Sequence, residues 1–134
     1  MRKRSALEGA DIVFLDPDNG VGAETEKHAT ISEIQMLRRP GRAIVFITFP
    51  GRNMKHDALL LQLHKRLAKE ADAKNVITLR TNIMVPLAEG SRFCVPRLRW
   101  FTIVDADDEL TARARAFATA LALVPRVKAR LGMM

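Results

Sequence analysis

Five consecutive residues, Asp16-Pro17-Asp18-Asn19-Gly20, concentrate most of the reactive groups of this chain. Two carboxylates this close can accept hydrogens from an amine, share a cation, or divide nucleophilic and acid–base roles. Pro17 fixes the backbone after Asp16, and Gly20 permits a positive φ or the close approach of a ligand. A second polar segment, Thr48-Phe49-Pro50-Gly51-Arg52-Asn53, supplies a hydroxyl and a guanidinium. The first segment also reads as a rigid turn in which Asp16 and Asn19 bond only to neighbouring backbone amides. Residue types alone leave both readings open.

These loops need elements to hold them. Asp11-Ile12-Val13-Phe14-Leu15 is an apolar run without polar alternation, as expected of a strand covered on both faces. Thr30 and Glu33 have the spacing of a capping box, and Ile31, Ile34 and Leu37 line the helix that follows until Pro40-Gly41 stops it. Residues 43–49 repeat the buried-strand pattern. The spacing of Leu60, Leu63 and Leu67 predicts a helix over about 55–71. Residues 76–79 form a third strand and residues 98–104, with Trp100 and Phe101, a fourth. Between them Pro86, Gly90 and Pro96 argue against a long helix. Asp107 or Asp108 caps a last helix whose face is Leu110, Ala114, Phe117, Leu121 and Val124, with Pro125 kinking or restarting it.

Strand, helix, strand, helix, strand implies right-handed crossovers and a parallel sheet. The prolines and Gly90 suit a return hairpin before 98–104. The predicted fold is therefore α/β: one domain over 1–134, a mostly parallel sheet with an antiparallel C-terminal strand. Ligands of such sheets bind beyond the carboxyl ends of the strands. The loops after Leu15 and Thr48 are expected to face one crevice there.

The chain has 134 residues, 48% hydrophobic and 28% charged, and a formal net charge of +7. That composition is globular, and no apolar run reaches the ~18–20 residues of a membrane span. Cys94 is the single cysteine, which excludes an internal disulfide and favours the cytoplasm. The basic balance makes nucleic acid a candidate partner, if folding gathers the dispersed arginines and lysines. Aromatics are only 5% and tyrosine is absent, so platforms for stacking single-strand bases are scarce.

A hydrophobic strand followed by Asp16-Pro17-Asp18-Asn19-Gly20, then a strand ending in Phe49-Pro50-Gly51-Arg52, resembles a group of uncharacterised bacterial proteins. Their fold is similar to the C-terminal half of class I S-adenosylmethionine-dependent methyltransferases. The resemblance implies a half-sized Rossmann-like three-layer sandwich spanning the fourth to the seventh strand of that fold. It implies that Asp16, Asp18 and Asn19 meet a target amine, with Pro17, Gly20, Thr48 and Arg52 holding the substrate. No aromatic follows Pro17 to stack on a target base. The cofactor it implies is S-adenosylmethionine, but the half that would bind the donor is expected to be missing, so catalysis is an open question. The strand at 11–15 would then be a hydrophobic edge, and a homodimer is expected to cover it.

Two further readings use the same residues. A strand followed by Asp-x-Asp resembles magnesium-dependent haloacid-dehalogenase-type phosphohydrolases, in which Asp16 would attack phosphorus and Asp18 serve as acid–base. Thr48 would then bind phosphate and one of Asp105, Asp107 and Asp108 complete the magnesium site. That reading needs the strand at 98–104 parallel to, and beside, the strand at 11–15. The other reading is a basic, non-enzymatic binding module. His28, His56 and His64 show no metal-ligand spacing with Cys94 or with one another, and no metal site is expected. Arg97 and Arg99 share one face of a strand, as a solvated edge or a phosphate clamp.

Overall fold

The computed structural model describes residues 11–15, 31–50 and 55–133. In chain order the elements are β1 (Ile12–Leu15), α1 (Ile31–Leu37), β2 (Ala43–Thr48), α2 (His56–Glu70), β3 (Val76–Pro86), β4 (Cys94–Val104), α3 (Asp108–Ala122) and β5 (Val127–Met133). The strands form one mixed sheet in the order β1-β2-β4-β3-β5.

One face of the sheet carries Val13, Leu15, Ile44, Phe46, Val76 and Val104, packed with Ile31, Ile34 and Leu37 of α1 and Leu63 and Leu67 of α2 into the main core. The helical contributors recur at three- and four-residue intervals and the strand contributors at two, as each geometry requires. Phe46, Ile34, Ile44 and Leu67 are fully buried, each contributing roughly 1.5–3 kcal/mol. The opposite face buries Ile77 and Leu79, and α3 packs chiefly against β5 and β3.

Of the four strand pairings only β1 with β2 is parallel; β2–β4, β3–β4 and β3–β5 are antiparallel. This corrects the expectation of a mostly parallel sheet. β1, β2 and β3 do run the same way, but β4 enters between β2 and β3, so neither finds a parallel partner there. The strand at 98–104 is antiparallel to β2, and it starts earlier, at Cys94. β5 was not foreseen. A turn with Arg126 at φ 65° follows α3, and the Val127 amide donates to the Val124 carbonyl at 3.2 Å. The alternation Val127-Lys128-Ala129-Arg130-Leu131 then pairs along β3. On α3 the inward stripe is Leu110, Ala114, Ala118 and Leu121, while Phe117 and Val124 are exposed.

β3 and β4 outrun their neighbours. β2 reaches β4 only as far as Trp100, and β5 reaches β3 only as far as Ile83. Beyond those points, among the described residues, the two strands pair with each other alone, to Pro86 opposite Cys94. Gly90, at φ 76°, and a 3.0 Å bond from the Leu87 amide to the Phe93 carbonyl close the hairpin. Pro96 lies where β4 has no second neighbour, a position that needs no ladder donor.

Candidate functional site

β2 and β4 set the frame of the site. Thr48 registers with Trp100, Trp100 with Arg80 and Arg80 with Arg130, one row across four strands. Paired residues share a face, and this row lies on the face that α2 covers. Two residues inward along each strand, the next row is Phe46, Thr102, Thr78 and Gly132.

The two rows differ in how their polar groups are satisfied. In the inner row His64 Nε2 and Thr78 Oγ1 share a 2.7 Å hydrogen bond, and Thr78 Oγ1 and Thr102 Oγ1 another of 2.9 Å. Burial, aided by the positive charge of Arg80, holds the His64 imidazole below its ordinary pKa. In the outer region Thr48 Oγ1, Arg80 Nε and Asn82 Oδ1 are buried with no hydrogen-bond partner among the described residues. Such a group costs about 1–3 kcal/mol, and native chains leave few of them. All three gather at the sheet end where β2 terminates.

The mouth of this region is charged and aromatic. Asp57, in the first turn of α2, accepts from Arg80 Nη1 at 2.7 Å and from Arg130 Nη2 at 3.2 Å. The Arg80 hydrogen bond, then the charges of Arg80 and Arg130, hold the Asp57 carboxyl below its usual range. The Arg80 guanidinium lies 5.7 Å from the Trp100 ring centroid, and His56 meets the same ring edge-on at 5.6 Å. Arg99 sits 4.7 Å over the ring of Phe49, which follows Thr48. Two arginines share one exposed carboxylate, which leaves the mouth with a net positive charge.

Of the residues expected from sequence, Asp16, Pro17, Asp18, Asn19, Gly20 and Arg52 lie outside the described residues, as does His28. The register Leu15 with Phe46 brings the exits of β1 and β2 to the same end of the sheet. Thr48 is there, buried. Arg80, Asn82, Trp100, Asp57 and Arg130 were missed. A charged Arg80 and a polar Asn82 continuing the period-two pattern of Thr78 were the available signal.

The acids after β4 lie at the other end. Asp105, at φ 60°, accepts from Arg38 Nε and from the Lys74 amide, the latter at 2.7 Å. Arg38 also donates to the Ala71 carbonyl at 2.9 Å, closing the end of α2. Asp107 accepts from the Leu110 amide at 2.7 Å and caps α3. These are fastenings of element ends. β4 is antiparallel and separated from β1 by β2, so the strand arrangement required by the phosphohydrolase reading is not present. Among the described residues no group of three His, Cys, Asp or Glu could hold a metal ion. Cys94 is free and half-buried in the hairpin.

A cavity of about 840 Å³ opens at this second end, lined by Arg38, Arg39, Arg42, Asp72 and Asp105 among others. Its charges are largely spent locally: Arg38 on Asp105, and Arg113 on Glu109 at 2.8 Å. Arg42 is buried with Nη1 donating to the Leu37 carbonyl at 2.8 Å, and burial, then the nearby Arg39, lowers its pKa. The basic residues therefore divide between the two ends of the sheet.

Comparison of the chain with protein-family models, curated proteins and solved structures finds no match in any of the three.

Proposed function

We propose that this chain is a methyltransferase-related α/β protein that binds or acts on nucleic acid at the sheet end where β1 and β2 finish. One observation carries the reading: β4 runs antiparallel between β2 and β3 and is entered from β3 through a hairpin instead of a crossover helix. That is the arrangement expected of the C-terminal half of the class I fold. With α1 and α2 on one face and α3 against β5 and β3, a half-sized Rossmann-like three-layer sandwich fits. Asp16, Asp18 and Asn19, directly after β1, would meet the target amine, with Pro17 and Gly20 shaping the turn. Thr48 and Arg52 would hold the substrate beside them.

The described residues do not fit S-adenosylmethionine. Among them no strand lies outside β1 and no glycine-rich strand-to-helix loop is present. The exposed, apolar side of β1 favours a homodimer that covers it. No described helix is long and apolar enough to cross a membrane.

Binding to single strands of one base type tests the reading. Oligoadenylate and oligocytidylate carry exocyclic amines, and oligothymidylate carries none. The wild type is expected to prefer the first two, and Asp16→Ala to lose the preference. A base preference that Asp16→Ala leaves intact removes Asp16 from the site.

A further inference from the structure

The hairpin built from the ends of β3 and β4 projects past both neighbouring strands. Six residues of β4, 94–99, lie beyond the last pairing with β2, a reach of about 20 Å at ~3.4 Å per residue. It leaves the sheet at the same end as Thr48 and the exit of β1.

The projection carries its arginines on one face and at its turn, and β5 adds basic residues on the other face at its root. Arg97 pairs with Ile83 and Arg99 with Thr81, on the face that buries Leu79. On the opposite face at the root, β5 places Lys128 across from Asn82 and Arg130, which is paired with Asp57, across from Arg80. Arg126 lies beside the root of the hairpin, its carbonyl accepting from the Met84 amide at 3.0 Å, and Arg92 is in the turn. Glu89 is the one acid between Arg80 and Arg99. Arg92 and Arg97 are exposed and have no partner among the described residues. At the tip Leu87 and Phe93 are 65% and 75% exposed.

We infer that this hairpin is a duplex-binding arm that enters a groove of double-stranded nucleic acid beside the crevice. The inference rests on the nucleic-acid part of the reading above. A flat anionic surface is met by charge on one face. A groove has phosphates on both walls; Arg97 faces one wall from the ribbon, and Lys128, on β5 at the root of the ribbon, faces the other. The major groove, about 12 Å wide, admits such a ribbon. The apolar tip then meets base edges or steps, where Phe and Leu serve as wedges. The scarcity of aromatics matters little for a duplex, which presents no unstacked bases.

Fluorescence anisotropy with a labelled 20-base-pair DNA, at salt from 50 to 200 mM, tests the arm. The wild type binds, and its affinity falls with salt. Arg92→Ala with Arg97→Ala binds about tenfold more weakly, with a log–log salt slope shallower by about two. Arg92→Lys with Arg97→Lys retains most of the affinity. Lys65→Ala with Lys69→Ala removes the same charge from α2 and leaves binding unchanged. If the wild type binds duplex but both alanine pairs weaken it equally, the arm is wrong and the nucleic-acid reading stands. If the wild type does not bind duplex at 50 mM salt, the arm falls. If it also binds none of the single strands above, so does the nucleic-acid reading. Preferential binding to phosphatidylserine vesicles, lost in Arg92→Ala with Arg97→Ala, overturns the arm in favour of a membrane surface.

Discussion

Thr48 and Arg80 stand on either side of Trp100 in one cross-strand row, and each keeps a buried polar atom without a partner among the described residues. Two residues inward, Thr78 is hydrogen-bonded both to Thr102 and to His64. Among the described residues the sheet's polar groups are satisfied at its centre and left unsatisfied at the end where β2 terminates.

Two substitutions of the same kind should therefore differ in effect. Thr48→Val removes a hydroxyl that has no hydrogen-bond partner among the described residues and is expected to leave stability unchanged or raise it by up to about 1 kcal/mol. Thr78→Val removes a donor and acceptor from a buried chain and is expected to cost about 1–3 kcal/mol. Urea unfolding of the two variants distinguishes them. Equal losses would mean that the Thr48 hydroxyl is bonded.

His64 should make stability depend on pH in one direction. Its folded pKa is held below the ordinary 6.5 by burial, then by Arg80. The unfolded chain then takes up the proton first as pH falls. The contribution is fully present above about 6.5 and is lost below it, at up to about 1.4 kcal/mol per pH unit. His64→Gln should flatten the profile between pH 7 and 5. A profile unchanged by that substitution would assign the dependence to other groups.

Asp105 fastens Arg38 and the Lys74 amide from a left-handed backbone position. Asn tolerates that conformation, so Asp105→Asn isolates the charge. A loss of about 1.5–3 kcal/mol is expected, read by urea unfolding, with nucleic-acid affinity unaffected because the residue lies at the far end of the sheet. A matching loss of affinity would join the two ends functionally.

The outer side of β1 should bring two chains together. Ile12 and Phe14 are 57% and 53% exposed, while Val13 and Leu15 are buried, and β1 pairs only with β2 among the described residues. Light scattering is expected to give the mass of a dimer, and Phe14→Glu that of a monomer. A wild-type mass of one chain would retire the dimer.

Much of this fold is legible in the sequence because burial writes period into it. Val13, Ile44 and Phe46 sit in runs too apolar to be anything but covered strands, and Leu63 and Leu67 keep helical spacing. The hairpin is legible through Pro86, Gly90 and Pro96. β5 was hidden because Lys128 and Arg130 read as charge more readily than as one side of a strand. Arg38 and its partner Asp105 are 67 positions apart, and no local pattern encodes a contact at that separation. Arg80 escaped for a related reason. Its burial depends on Trp100, Asp57 and Arg130, which come from three other elements.

The place of β4 between β2 and β3 also orders assembly in time. Neither of those strands can pair across the centre of the sheet until Cys94–Val104 has been made. A nascent chain that has reached β3 holds β1 and β2 with an open edge, and β3 with none of its final neighbours. The contacts that complete the sheet come late in synthesis and span long stretches of chain, which slows folding. Until then the unpaired side of β2, rich in Ile and Val, is the surface on which a chaperone would act or an aggregate begin.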